Sequence, residues 1–150
     1  MRLEDEIKQK EFKNEYNKSV VNIIYTFNWL DTYSRSFMKK YSLTPQQFNI
    51  LRILRGQQPN PATINLLKDR MLDKMCDASR MVDRLKIKNL VDRKVCEKDR
   101  RAVDIVITKK GLDLLSRIDK DMPDYEKFMH NLTLSEAKQL NTLLDKLRGK

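Results

Sequence analysis

LLKDRMLDKMCDASRMVDRLKIKNLVDRKVCEKDRRAVDIVITKKG, residues 66–111, decides the fold. Its first half has helical spacing. Ile64, Leu67 and Met71 lie on one face of a short helix that starts near Ala62 or Thr63. A short gap follows, and then a second helix from about Lys74 to Lys88, with Asn89 as a left-handed cap. From Leu90 the period changes to two. Val91, Arg93 and Val95 alternate with Asp92 and Lys94, and Val103, Ile105 and Ile107 alternate with Asp104. Two strands separated by the charged segment Glu97–Ala102 read as a β-hairpin. It has no Asn-Gly, so its loop is longer than two residues.

Two short helices, a tight gap and a basic hairpin make a winged helix-turn-helix. The fold class is mainly α with a small β-hairpin wing. Upstream, Thr44 is a good N-cap, Pro45 suits the first helical position, and Gln47 completes a capping box. Phe48, Leu51, Ile53 and Leu54 follow, and Gly56 with residues 57–61 ends that helix. Residues 5–41 carry apolar side chains at helical spacing, among them Ile7, Tyr16, Ile24, Phe27 and Phe37, with no Gly or Pro between. One helix over this stretch would be about 50 Å long. A small domain cannot cover such a stripe, so a second subunit is its simplest partner. Downstream, Thr108 caps a helix with Leu112, Leu114, Leu115 and Ile118, which Pro123 is expected to kink or interrupt. Thr133 and Glu136 form another capping box before Leu140, Leu143, Leu144 and Leu147.

Composition narrows the function. The net charge of +10 favours a polyanionic partner: DNA, RNA or an anionic membrane. No run of apolar residues is long enough for a transmembrane helix. The segment from Met1 to Glu6 lacks the apolar core of a signal peptide, so the protein is expected in the cytoplasm, with Cys76 and Cys96 as reduced thiols. One histidine, His130, and two cysteines make no zinc cluster, and three glycines build no phosphate-cradling loop. No catalytic set, metal site or cofactor is expected, and an enzyme is disfavoured.

The charge is concentrated. From Lys68 to Lys110 there are 14 Lys plus Arg against 8 Asp plus Glu, a net of +6. On a helical wheel Ala78, Met81, Val82 and Leu85 form the core side of the second helix, while Cys76, Ser79, Arg80 and Asp83 point away and Asp77 and Arg84 flank them. An ordinary solvated face looks the same. The neighbouring hairpin gives it meaning, because a helix fits the major groove and a hairpin beside it reaches backbone or minor groove.

Residues 66–93 and the run KDRRAVDIVITKKG (98–111) resemble the helix-turn-helix and wing of the MarR family, the multiple-antibiotic-resistance regulators. LTPQQFNILRIL (43–54) and LTLSEAKQLNTLLDKLR (132–148) resemble that family's second and last helices. The resemblance covers about residues 10 to 148, with one departure: Asn89 stands where the family usually has Gly. It implies a homodimeric, sequence-specific DNA-binding regulator, most often a repressor, acting on a pseudo-palindromic operator in double-stranded DNA. Residues 1–42 and 112–150 would form a helical dimerisation region, and 43–111 the DNA-binding lobe.

By the same resemblance the DNA contacts fall on Cys76, Asp77, Ser79 and Arg80, with Arg84 as a phosphate or supporting contact. At the wing tip Asp99 and Arg101 match the family's paired positions, and Arg100 between them joins the set. A surface ion pair that only shapes the hairpin is the other reading of Asp99 and Arg101. The family also implies a small aromatic ligand, for which Tyr16, Phe27, Trp29, Tyr33 and Phe37 are candidates; aromatics at helical spacing are also ordinary core. Cys76, near a helix N-terminus where a thiolate is favoured, raises oxidant sensing against a plain contact role. The competing function is a winged-helix protein-interaction module with an incidental basic surface.

Overall fold

The structure is a computed structural model that describes residues 2–95 and 103–149. The chain divides into two compact units, one ending at Leu112 and the other beginning at Asp113.

The expected single helix over residues 5–41 is two helices, α1 (Leu3–Glu6) and α2 (Glu15–Lys39). Two local events break it. Lys8 takes a left-handed φ of 54°, and the Asn14 carboxamide accepts from the Asn17 N–H at 2.8 Å, which starts α2 afresh. An apolar stripe without Gly or Pro permits a helix but does not impose one, because a capping side chain offers the backbone a competing partner. With 25 residues, α2 is about 37 Å long. α1 is tied to it by a Glu4–Lys18 ion pair and by the Tyr25 hydroxyl, which donates to Glu6 at 2.7 Å.

α3 (Pro45–Gln57) starts on the predicted capping box. The Gln47 N–H donates to Thr44 Oγ1 at 3.2 Å, and the Thr44 N–H donates to Gln47 Oε1 at 3.1 Å. α4 (Ile64–Arg70) starts on Thr63, whose hydroxyl accepts from the Leu66 N–H. α5 (Ala78–Ile87) follows, then β1 (Val91–Val95) and β2 (Val103–Ile107). The strands pair antiparallel, as expected of a hairpin, in a register that sets Val91 opposite Ile107 and Arg93 opposite Ile105. Ala62 adds a third position to the sheet by exchanging both backbone hydrogen bonds with Ile105. No alternating pattern could announce a single-residue bridge. The core of this unit joins Ile50, Leu51 and Leu54 of α3, Leu67 and Met71, Val82 and Leu85 of α5, and Leu90, Val91 and Ile105, all buried. Each such aliphatic contributes roughly 1.5–3 kcal/mol on burial.

The joint from α5 into the wing is a Schellman cap. The Leu90 N–H reaches the Leu85 carbonyl at 3.0 Å and the Asn89 N–H reaches that of Lys86 at 2.8 Å, with Asn89 at φ 58°. The departure from Gly is therefore accommodated, since Asn tolerates this region better than other side chains. α6 (Lys109–Glu126) begins where the Thr108 hydroxyl accepts from the Gly111 N–H and donates to the Asn89 carbonyl. Pro123 lies inside α6, which runs on for three residues to Glu126 and passes into a 3-10 helix, Lys127–Asn131, that holds the exposed His130. α7 (Leu134–Leu147) starts on the Thr133–Glu136 box.

Candidate nucleic-acid interface

α4, the turn 71–77 and α5 are the helix-turn-helix. Its turn is held by side chains that the sequence reading passed over. Asn49 Oδ1 accepts from the Leu72 N–H at 3.0 Å, and Asp73 accepts from the Met75 N–H and from the Gln46 carboxamide. The Lys74 ammonium donates to the carbonyls of Lys68 and Asp69 at the C-terminal end of α4, where a cation is favoured. This positions the start of α5.

α5 begins at Ala78, later than the expected Lys74. The reason is Asp77, whose carboxylate accepts from the Arg80 N–H at 3.1 Å and so caps the helix. Ala78, Val82 and Leu85 are buried, Met81 and Ser79 are half-buried, and Arg80, Asp83 and Arg84 are exposed. Cys76 lies before the helix and is half-buried. Burial pushes its thiol pKa up, and the carboxylates of Asp73 and Asp77 push it further the same way. The expected thiolate is therefore disfavoured: the helix end that would have stabilised it starts beyond Cys76 and already holds the Asp77 carboxylate.

Ser79 and Arg80 stand together on the outward side of α5. Arg84 lies on the flank, in an open cleft of about 560 Å³ that also takes in Arg35, Lys39, Ser42, Thr44 and Lys88. In the cleft wall, the Lys88 ammonium donates to the Ser42 carbonyl. Asp99, Arg100, Arg101 and Cys96 lie outside the described residues, as does the rest of 96–102.

One residue of the interface was missed. Arg93 of β1 reaches back to α5, pairing with Asp83 at 2.8 Å and donating to the Ser79 carbonyl at 3.5 Å. A signal for it existed. Period-two alternation puts Arg93 on the same strand face as the buried Val91, and a cation on a core-facing position needs a partner.

The five candidate ligand aromatics all lie along α2. Trp29 and Tyr33 stack with centroids 6.1 Å apart, and Phe37 is buried against Tyr41. Tyr16 and Phe27 are exposed further along α2, and the cleft beside Arg84 has none of the five in its lining.

Residues 43–103 match the MarR family model. That stretch, from the residue before the Thr44 cap to the first residue of β2, is similar to a MarR-family domain. The HTH-type transcriptional regulator MhqR of Bacillus subtilis is 31% identical over 94 residues, covering 61% of this chain and 62% of that relative. The match thus spans less than two thirds of the relative's length. Among solved structures, a MarR-like transcription regulator from Bacillus cereus superposes with a TM-score of 0.79 at 20% identity, covering 91% of this chain and 98% of that one. A mutant MarR from E. coli complexed with operator DNA gives 0.80 at 24% identity, covering 92% and 99%. At these identities the superpositions speak for the fold alone, a winged helix-turn-helix in which α4 and α5 are the helix-turn-helix and β1 and β2 the wing.

Proposed function

We propose that the chain is a transcriptional regulator that binds double-stranded DNA as a homodimer, on a pseudo-palindromic operator, and acts as a repressor. The observation that carries this is the outward side of α5, where Ser79 and Arg80 stand beside a hairpin in a segment of net charge +6. α5 is the helix to enter the major groove, with Cys76, Asp77, Ser79 and Arg80 near base edges and Arg84 supporting. Arg101 at the wing tip, with Arg100 beside it, would meet phosphates or minor groove, and Asp99 would pair with Arg101. A mutant MarR and MepR were each solved on DNA, and their fold is the one found here.

The dimer is supported by bare apolar surface. Tyr16, Val20, Ile24 and Phe27 of α2 are exposed, and so are Leu134, Leu143 and Leu147 of α7. Residues 1–42 and 112–150 are proposed to supply the contact with the second copy. A regulator of this kind works in the cytoplasm and catalyses nothing. We also propose that a small aromatic ligand releases it from DNA. The stacked Trp29 and Tyr33 suit an aromatic ring, and the cleft beside Arg84 has the volume of a small-molecule site.

A mobility shift with the duplex upstream of the chain's own gene tests the main reading. Retardation that survives excess random duplex is expected. The second reading, a protein-interaction module, is favoured by Leu72 and Met75, which stand 87% and 94% exposed on the helix-turn-helix turn. Absence of any sequence-dependent retardation would favour it.

A further inference from the structure

Arg93 joins the two parts of the interface. Its strand is the first of the wing, and its guanidinium lies on α5 across one helical turn, from the Ser79 carbonyl to the Asp83 carboxylate. The planar fork of an arginine suits this grip, because two nitrogens address two acceptors in fixed directions. Its Nε is buried with no partner among the described residues. A donor left unsatisfied in this way is costly, so the position is held by the other two contacts and by packing. Folding stability gives little reason to keep such a pair, since Asp83 is half exposed and solvent screens the attraction. Orientation gives a better one. Arg93 fixes the rotation of α5 about its axis relative to the wing strand, and that rotation aims Ser79 and Arg80.

We infer that Arg93, held by Asp83, is a positioning residue for DNA recognition: it sets the angle at which α5 presents its outward face, and so governs sequence preference more than affinity. This rests on the DNA-binding reading above. It makes an unusual demand of Asp83. By charge alone, removing a carboxylate from a DNA-facing helix should tighten binding to every duplex. If the carboxylate instead holds the clamp, its removal lowers the preference for the right sequence.

The test uses the full chain, duplexes that the unaltered protein selects from a random pool, and shuffled duplexes of the same composition. Binding is followed by fluorescence anisotropy over a salt series, with thermal melting of each variant. Arg93→Lys keeps the charge and loses the fork. The ratio of selected to shuffled affinity is expected to fall about tenfold, the size of one lost base contact, with the salt slope unchanged. Asp83→Asn should lower the same ratio, and the double variant should be no worse than either single one, because both break one contact. Unchanged ratios in both single variants would overturn the inference. So would an equal loss on both duplexes with a shallower salt slope, which would make Arg93 a phosphate contact. A pool from which the unaltered chain selects nothing would overturn the DNA reading itself, and this inference with it.

Discussion

Gly111 and Leu90 approach so closely that a Cβ on Gly111 would stand 2.4 Å from the Leu90 carbonyl oxygen. The same Cβ would meet Ile107 Cγ1 at 2.7 Å. This contact seats the start of α6 on the end of α5 and the last residue of β2. The Thr-x-x-Gly pattern of residues 108–111 is thus two devices, a hydroxyl that caps α6 and a glycine that lets the backbone in. Gly111→Ala is expected to destabilise the fold by about 1–3 kcal/mol, the usual cost of overpacking. Urea unfolding would measure it; an unchanged midpoint would mean that the joint relaxes freely.

Glu136 gives a pH-dependent contribution with a definite sign. Hydrogen bonds from the Thr133 backbone N–H and hydroxyl hold its carboxyl below the ordinary carboxylate value of 4.5. A depressed folded pKa stabilises the native state above the unfolded value and loses that effect as pH falls through the folded one. Unaltered protein should therefore lose stability on acidification below about 4.5 more steeply than Glu136→Gln. Melting temperatures across that range would decide; parallel curves would remove the capping carboxylate from the account.

Cys76 should behave as a sluggish thiol. Burial and two neighbouring carboxylates raise its pKa, so the thiolate is scarce at neutral pH. In a Cys96→Ser background, alkylation of the native protein should be slower than that of free cysteine at pH 7, with a midpoint above the ordinary thiol value of 9.0. Rapid alkylation near neutrality would restore the oxidant-sensing reading.

Arg80 and Arg101 should fail in different ways. Arg80→Ala is expected to cost about 1–3 kcal/mol and relax preference at one position of each half-site. Arg101→Ala should weaken binding to all sequences more evenly and make the log–log salt slope shallower by about one per wing. Anisotropy titrations at several salt concentrations separate the two. If Arg101→Ala changes neither affinity nor slope, the wing does not touch DNA.

Phe27 is 65% exposed on α2, a large ring left in water by a single copy of the chain. Phe27→Asp should shift the protein from dimer to monomer at micromolar concentration in sedimentation. A folded monomer of 17.9 kDa before any substitution would end the homodimer proposal.

What the sequence by itself determined is what neighbouring residues decide. The caps at Thr44 and Thr133, the Thr108 hydroxyl on α6, the left-handed Asn89 and the pairing of β1 with β2 all appear as read. Each rests on groups a few residues apart, or on a period-two pattern that a pleated strand enforces. The tertiary structure decided the rest. It raised the pKa of a thiol that local sequence suggested would be acidic, whereas the break at Asn14 and the start of α5 at Ala78 come from local caps that periodicity alone did not reveal. It carried Arg93 onto Ser79 and Asp83, and gathered Arg35 and Lys39 with Arg84 and Lys88 around one cleft. Periodicity assigns each of these side chains a face, but which groups share that face depends on how distant segments pack and on what burial does to their charge.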